Sequence, residues 1–387
     1  MSQPTAFVGA RVFDGHRWHD GAALIEEDGR VAGIVPSAGL PDGIARVALD
    51  GGMLVPGFVD LQVNGGGGVL FNNDISVDAI STICAAHAAY GTTALLATLI
   101  TDIPEATDRA IAAGRTARGR VPGYLGLHLE GPHLSLARKG THAPDLIRPM
   151  EAADLDRIVA AVPDIANLLV TVAPESVTRE QVVALVRAGI RVSLGHTDAS
   201  YETAMAYFDS GATMATHLFN AMSQFGSREP GVVGAVIDSP DIYAGLIADG
   251  IHVHPAAIRM ALCRRGGSGR IFLVTDSMSQ TGTDLAEFSL NGRTVHRAGG
   301  ALRLADGTLA GADLDMIDAV WFAARDGGVG LDEALRMASL HPARAMGLDA
   351  EYGHLGVGSR SDFVHIGPDD GVAGTWIGGK PVYPRPI

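Results

Sequence analysis

The chain has 387 residues, of which 47% are hydrophobic and 50 are glycines. This hydrophobic content is sufficient for a large core and excludes an intrinsically disordered chain. The 43 acidic residues outnumber the 29 lysines and arginines, and the resulting net charge of −14 disfavours nucleic acid and anionic membranes as partners.

Targeting signals and disulfides are not evident in the sequence. The first residues lack the basic and apolar segments of a signal peptide. No apolar run approaches the ~18 residues that a membrane-spanning helix needs. Cys84 and Cys263 are the only cysteines, too few for a disulfide framework. We therefore expect a cytoplasmic protein.

The two ends of the chain have the same pattern. Residues 1–53 form short apolar segments separated by Gly and Asp-Gly turns, which is typical of strands, and residues 355–387 are similar. We predict that both termini build one small β-sandwich domain. Residues 54–354 then form a second, continuous domain.

The middle of the chain alternates between short apolar segments and helical patterns. Eight continuous apolar strands, each buried on both faces, predict an α/β fold with a closed (β/α)8 TIM-type barrel. An open doubly wound sheet is the alternative, but no G-x-G-x-x-G motif opens a helix after the first strand. Helices at 313–326 and 331–346 would complete the barrel wall. The predicted strands are 54–62, 92–99, 124–130, 167–175, 190–196, 212–217, 242–249 and 270–276.

Side chains at the carboxyl ends of these strands suggest a metal site. Glu130 ends the third strand, His196 the fifth and His217 the sixth. One carboxylate and two imidazoles are sufficient ligands for a divalent metal that keeps an open coordination position. Asp276 follows the eighth strand, where a proton acceptor would be needed. The pattern predicts a metal-dependent hydrolase.

Each of these residues also has a purely structural interpretation. A histidine at a strand end can cap a helix or make an internal hydrogen bond. Glu130 precedes Gly-Pro and can anchor a turn, and Asp276 can cap the following helix. The occurrence of all four residues at strand ends favours the metal site.

Specific motifs follow one another along the chain. They are PGFVDLQVNGGGG (56–68), GLHLEGPHLS (126–135), SLGHTDASYETA (193–204), ATHLFNAMS (215–223), IADGIHVHP (247–255) and LVTDSMSQTG (273–282). Together they resemble the N-acetylglucosamine-6-phosphate deacetylases of the amidohydrolase superfamily over almost the whole chain. The resemblance implies hydrolysis of the N-acetyl amide of an amino sugar 6-phosphate, with release of acetate.

The resemblance also implies roles for individual residues. Glu130, His196 and His217 would be the metal ligands, Asp276 the general base and then acid, and His142 the group that polarises the amide carbonyl. The implied substrate and phosphate contacts are Asn220, the Ala221 backbone, Arg228 and His252. In the family, some phosphate contacts cross a dimer interface, so the resemblance implies a homodimer or a dimer-based oligomer.

The first strand departs from many amidohydrolases. Where those proteins have His-x-His for a second metal, this chain has Gln62 and Asn64. Amides are weak ligands for borderline divalent ions. Lysine occurs only at Lys139 and Lys380, neither at a strand end, which disfavours a metal pair bridged by a modified lysine. We predict one divalent metal per subunit, Zn²⁺ or Fe²⁺, with the second metal position lost.

Two segments fit the family pattern less well. Ser277–Gln280 stands where family members usually have small and Pro-containing sequence. Asp313 stands where a small hydroxyl residue is more usual, and Asp315 adds a second acid. Sequence drift is the simpler interpretation of both segments. If these segments border the sugar, the substrate can be another N-acetyl amino sugar phosphate, such as N-acetylgalactosamine 6-phosphate. An N-acyl amino acid is disfavoured by Arg228 and His252, which suit a phosphate. The remaining alternative is a catalytically silent binding protein on the same scaffold.

Overall fold

The computed structural model describes residues 3–263 and 267–384. Strands come first, in the order β1 (Thr5–Val8), β2 (Arg11–Phe13), β3 (Trp18–His19), β4 (Ala22–Glu27), β5 (Arg30–Pro36), β6 (Ala45–Ala48) and β7 (Met53–Pro56). Strands and helices then alternate as β8 (Phe58–Val63), β9 (Gly65–Gly66), β10 (Val69–Leu70), α1 (Val77–Ala88), β11 (Thr92–Ile100), α2 (Pro104–Ala117), β12 (Tyr124–Glu130), α3 (Ala152–Ala160), β13 (Leu168–Val172), α4 (Arg179–Arg187), β14 (Arg191–Leu194), α5 (Tyr201–Asp209), β15 (Met214–Ala215), α6 (Gly231–Asp238), β16 (Tyr243–Leu246), α7 (Pro255–Leu262) and β17 (Ile271–Leu273). The chain continues with β18 (Glu287–Leu290), β19 (Arg293–Ala298), β20 (Ala301–Leu304), β21 (Leu309–Ala312), α8 (Met316–Arg325), α9 (Leu331–Ala338), α10 (Leu340–Met346), β22 (Phe363–Ile366), β23 (Val372–Ile377) and β24 (Lys380–Tyr383).

Both termini contribute to the terminal sheets. One sheet has the order β5-β4-β1-β6, and the other has the order β24-β23-β22-β7-β2-β3. The sheets pack through aromatic side chains, since the Phe7 ring of one sheet lies 4.7 Å from Phe363 and 5.5 Å from Trp376 of the other. The predicted small β domain built from both ends is confirmed. Its boundaries at 53/54 and 354/355 stay a prediction.

The middle of the chain forms a parallel sheet with the order β17-β16-β15-β14-β13-β12-β11-β8 in the described residues. Its strands are buried on both faces, as the continuous apolar segments predicted. The sheet closes because the Asp276 amide donates to the Gln62 carbonyl at 3.0 Å and the Asn64 amide to the Ser277 carbonyl at 2.9 Å. The predicted barrel is therefore confirmed. No helix within 3–263 or 267–384 is both long and apolar enough to cross a membrane.

Two predicted elements are divided in the structure. The strand predicted at 54–62 becomes β7 in a terminal sheet and β8 in the barrel, separated at Gly57, where a Cβ would lie 2.1 Å from the Thr93 Oγ1. The helix predicted at 331–346 becomes α9 and α10, separated at Ser339. Pro342 has no backbone N–H to extend the hydrogen-bond ladder of α9, which explains why the helix is interrupted.

An antiparallel sheet, β18-β19-β20-β21, was missed by the sequence analysis. It packs on its own small core, which includes Leu290, Val295 and Leu302, and β21 ends beside the barrel mouth. Its strands alternate weakly between buried and exposed positions and were not recognised. Asn291-Gly292 and Gly299-Gly300 form its first two turns, and such dipeptides are strong hairpin signals that could have identified it.

Close backbone packing inside the barrel makes Gly126 of β12 sensitive to substitution. A Cβ at this residue would lie 2.0 Å from the Asn167 carbonyl oxygen. We expect Gly126→Ala to reduce the free energy of unfolding by about 1–3 kcal/mol, the usual cost of overpacking. Denaturant unfolding measures this effect, with Gly39→Ala as control because a Cβ there meets no atom within 4 Å. Equal stability of the two variants would contradict the barrel packing.

Candidate active site

A cavity of about 370 Å³ opens at the carboxyl ends of the barrel strands. It brings together most of the residues that the sequence analysis singled out. Gln62 lies beneath the cavity and contacts two of its residues, whereas Arg228 is not among the lining residues and is exposed. The predicted residues in the wall are Asn64, Glu130, His142, His196, His217, Asn220, Ala221, His252 and Asp276.

Three of the site residues have strained backbones. His196, His217 and Asp276 follow β14, β15 and β17, and their φ angles are +48°, +33° and +49°. Residues other than glycine rarely adopt this left-handed region, and such strain concentrates at functional sites. The side chains of all three residues line the cavity at the barrel mouth.

Three potential metal ligands converge at the cavity floor. The Glu130 Oε1 lies 3.1 Å from the His196 Nε2 and 3.0 Å from the His217 Nε2, and the two nitrogens are 3.1 Å apart. Ligand bonds of about 2.0–2.2 Å separate neighbouring atoms around a tetrahedral ion by about 3.3–3.6 Å. All three side chains are buried. The donor set and its spacing fit a single divalent ion.

The ring orientation of His196 supports this interpretation. Its Nδ1 lies 2.9 Å from the Arg138 carbonyl oxygen, an acceptor that requires the hydrogen on Nδ1. The other ring nitrogen, Nε2, faces Glu130 and the His217 Nε2 and is the nitrogen that would bind a metal. Histidine ligands of metals are commonly oriented by such a hydrogen bond from the other ring nitrogen.

The charges at the floor of the cavity favour the binding of a cation. Burial alone would raise the pKa of Glu130, but hydrogen bonds from His196 and His217 outweigh it and hold the pKa well below its usual range. Burial would lower the pKa of His217, yet its hydrogen bond to Glu130 and the charge of that carboxylate raise it. A buried carboxylate that stays ionised beside imidazole nitrogens is an environment that suits a cation.

His142 stands at the edge of this cluster. One of its ring nitrogens lies within 4.8 Å of ligand atoms of Glu130 and His196, so it is a second candidate for the third ligand position. The shorter distances of His217 favour His217 for that position. The His142 Nδ1 lies 2.7 Å from the Thr101 Oγ1. Burial, followed by the charge of His196, holds the pKa of His142 well below its usual range, so the ring is neutral.

Asp276 follows the last barrel strand, β17, and faces the cluster formed by Glu130, His196 and His217. Its Oδ1 accepts hydrogen bonds from the Asn64 Nδ2 at 2.7 Å and the Gln62 Nε2 at 3.2 Å. Burial, and then the charge of Glu130, raise the pKa of Asp276 to about 6. A carboxyl with a pKa near neutrality can both accept and return a proton.

Asn220, Ala221 and His252 form another part of the wall. The His252 Nδ1 lies 2.6 Å from the Asp249 Oδ2, which fixes the ring and leaves its Nε2 for a ligand. Ala221 has a φ of +49°, and its carbonyl accepts from the Thr197 amide. Among residues 3–263 and 267–384, the Arg228 side chain makes no hydrogen bond or ion pair within the chain.

The unusual segments lie partly outside the cavity. Met278 is in the wall, but the Ser277 Oγ lies 3.2 Å from the His87 Nε2, and the Gln280 Nε2 donates to the Ala312 carbonyl. Asp313 accepts from the Arg297 Nε at 2.8 Å and does not line the cavity. Only Met278 of these residues borders the space for a substrate.

Sequence reasoning missed other parts of the site. Thr101 directly follows β11 and contacts His142, so the strand-end rule could have found it. Arg138 orients His196 through its backbone carbonyl, an interaction with no side-chain signature. Thr308 and Leu309 line the cavity because the unpredicted antiparallel sheet lies over the barrel mouth.

Comparisons with known proteins show the family of the chain. The Amidohydrolase family model matches residues 53–382, and the NagA composite domain matches residues 6–54. The chain is 39% identical to an N-acetylgalactosamine-6-phosphate deacetylase of Shewanella sp. (strain ANA-3), with 97% of this chain and 95% of that protein covered. It is 38% identical to an N-acetylglucosamine-6-phosphate deacetylase of Haemophilus influenzae, with 90% and 92% covered.

A solved structure extends the similarity to the fold. The N-acetylglucosamine-6-phosphate deacetylase of Pasteurella multocida superposes with a TM-score of 0.94 at 36% identity, covering 98% of this chain and 99% of that one. The chain belongs to the amidohydrolase family and, within it, to the N-acetylglucosamine-6-phosphate deacetylases. The resemblance that the motifs indicated is confirmed.

Proposed function

We propose that this protein is a metal-dependent hydrolase that converts N-acetylglucosamine 6-phosphate into glucosamine 6-phosphate and acetate. The observation that carries the proposal is the convergence of Glu130, His196 and His217 opposite Asp276 in one cavity. Relatives that cover nearly the whole chain and bear this activity in their names support the substrate class.

The metal site would hold one divalent ion per subunit, Zn²⁺ or Fe²⁺, through Glu130, His196 and His217. One carboxylate and two imidazoles suit either ion. When bound, the ion supplies Lewis acidity that lowers the pKa of water and polarises the amide carbonyl. Gln62 and Asn64 donate hydrogen bonds to carboxylates, so their amides are engaged where a second ion would need ligands.

Asp276 and His142 perform the proton and charge chemistry of the proposal. The Asp276 carboxylate accepts a proton as water attacks the amide, then returns it to the amine nitrogen, because an amide anion is too poor a leaving group. The neutral His142 ring donates a hydrogen bond to the oxyanion. Thr101 can donate its hydroxyl hydrogen to the His142 Nδ1, which keeps the ring hydrogen on the nitrogen that faces the cavity.

The phosphate of the substrate would bind at Asn220, the Ala221 backbone and His252. Arg228 is exposed and outside the cavity of its own chain, so we propose that it reaches the cavity of a second copy in a homodimer. A guanidinium matches the geometry of phosphate oxygens. We propose that the enzyme works in the cytoplasm, because a charged sugar phosphate does not cross a lipid bilayer unaided.

Removing the His142 ring should slow the chemical step. We expect His142→Gln to lower kcat by about 10²–10³-fold, the usual effect of losing one oxyanion donor. KM should change little, because the oxyanion forms only in the transition state. Steady-state kinetics measure both constants, and His133→Gln is the control because the buried His133 contacts the Arg148 carbonyl outside the cavity. A rise in KM alone would assign His142 to ground-state binding.

Release of acetate from a panel of N-acetyl amino sugars, with and without a 6-phosphate, tests the proposed function. We expect hydrolysis of the 6-phosphates, and kcat/KM lower by at least about 100-fold for the free sugars, as the loss of charge-assisted hydrogen bonds implies. Equal rates for both forms would contradict the phosphate site, and no acetate from any substrate would contradict the function.

The galactosamine epimer is the second candidate substrate. The observation in its favour is the 39% identity to the Shewanella N-acetylgalactosamine-6-phosphate deacetylase. The two sugars differ in the configuration of one hydroxyl, which the metal and proton chemistry do not sense. The same panel decides between them through the ratio of their kcat/KM values.

A further inference from the structure

Two amide side chains connect the carboxylates of the site. The Gln62 Nε2 lies 3.1 Å and 3.2 Å from the two Glu130 oxygens and 3.2 Å from the Asp276 Oδ1. The Asn64 Nδ2 lies 2.7 Å from the same Asp276 oxygen. We propose that Gln62 and Asn64 are positioning residues that hold the Asp276 carboxylate with its Oδ2 directed to the substrate. The inference rests on the function proposed above.

The hydrogen-bond inventory supports this role. A primary amide has two N–H donors, so Gln62 gives one to Glu130 and the other to Asp276. Asn64 gives a further donor to the Asp276 Oδ1. The Oδ2 makes no hydrogen bond to any residue in the part of the chain that the structure describes. One oxygen is therefore held, and the other is left as the proton acceptor.

The neutral amides also separate two like charges. Glu130 and Asp276 are both buried in the floor of the cavity, and the charge of Glu130 opposes ionisation of Asp276. Amide donors stabilise both carboxylates without adding charge. A carboxylate in place of Asn64 would present an acceptor to the Asp276 Oδ1 and add a third negative charge.

The backbone around the two amides is firmly placed. Gln62 is the next-to-last residue of β8 and Asn64 follows the strand directly, so the two side chains are two residues apart and lie on the same face. The Gln62 carbonyl accepts from the Asp276 amide, and the Asn64 amide donates to the Ser277 carbonyl. The hydrogen bonds that close the barrel therefore fix the backbone positions of Gln62, Asn64 and Asp276 relative to one another.

The inference is tested by comparing the kcat values of two variants at position 64, measured at pH 8. Asn64→Ala removes the donor, and we expect kcat to fall about 10- to 100-fold, as a misplaced catalytic group implies. Asn64→Asp has the shape of asparagine but reverses its hydrogen bond, and we expect a larger loss. KM should stay close to that of the wild type in both variants. A space-filling role predicts the opposite order, with the isosteric Asn64→Asp closer to the wild type.

Crystal structures give a readout that does not depend on activity. In Asn64→Ala, we expect the Asp276 carboxylate to rotate away from its wild-type orientation. An unchanged orientation, or Asn64→Asp at least as active as Asn64→Ala, overturns the inference. The structural comparison also applies if the wild-type protein releases no acetate, so failure of the proposed function is distinguishable from failure of this inference.

A second pair of variants, at Gln62, and a control keep the test decisive if the Asn64 variants do not fold. Gln62→Met and Gln62→Glu should show the same order, with the acidic variant the slower of the two. Asn72→Asp is the matched control, because the Asn72 Nδ2 also donates to a carboxylate, that of Asp102 at 3.0 Å, away from Asp276. Its kcat should stay close to that of the wild type. Failure of all four site variants to fold would assign the amides to stability and overturn the inference.

Discussion

Replacing Asp276 with asparagine is expected to lower kcat by about 10²–10⁴-fold, the range for loss of a general acid–base. Asparagine keeps the size of the side chain but cannot accept the proton of the attacking water. Substrate affinity and metal content should stay close to those of the wild type, because Asp276 is not one of the three converging ligands.

Steady-state kinetics, calorimetric binding of the substrate and metal analysis of the purified variant measure these quantities. Asp313→Asn is the matched control, because Asp313 pairs with Arg297 and does not line the cavity. It should retain nearly all activity. Near-normal turnover in Asp276→Asn would contradict the assignment of the base. A severe loss in Asp313→Asn would instead show that the unusual segment near 313 affects the substrate.

Replacing Glu130 with glutamine is expected to abolish metal binding and turnover together. The side chain keeps its shape but loses the charge, and the remaining imidazoles of His196 and His217 are weak ligands by themselves. Perturbing only the residues around a metal site typically costs 10–100-fold in affinity, so we expect loss of a ligand to exceed about 100-fold. Removal of the metal from the wild type by a chelator should have the same effect, and Zn²⁺ or Fe²⁺ should restore activity.

Metal content per chain and the rate of acetate release test this second prediction. Glu333→Gln is the control, because Glu333 contacts His341 and Arg336 and does not line the cavity. The Glu333→Gln variant should be less stable than the wild type but should keep its metal. A Glu130→Gln variant with full metal content would exclude the proposed ligand set. Two tightly bound equivalents in the wild type, both needed for rate, would overturn the single-metal prediction.

The sequence predicted those parts of the site whose positions follow from the ends of the barrel strands. Parallel strands bring their carboxyl ends to one edge, so Glu130, His196 and His217 could be placed together from strand positions alone. The barrel followed from continuous apolar strands with intervening helices. The sheet formed by β18 to β21 has weaker alternation, and it was missed although Asn291-Gly292 signals its first turn.

The remaining features depend on tertiary geometry. Gln62 and Asn64 could be recognised only as residues that replace histidines, because their hydrogen bonds to Glu130 and Asp276 join residues far apart in the sequence. Arg228 was assigned to the phosphate by resemblance, yet it is exposed and outside the cavity of its own chain. The proposed contact of Arg228 with the cavity of a second copy cannot be derived from one sequence.

A crystal structure of the metal-loaded Asp276→Asn variant with N-acetylglucosamine 6-phosphate would show where the substrate binds. We expect the acetamido group between the Glu130, His196 and His217 cluster and the side chain at position 276. We expect the phosphate at Asn220 and His252. A sugar bound with its phosphate toward the metal ligands, or outside this cavity, would exclude the proposed active site.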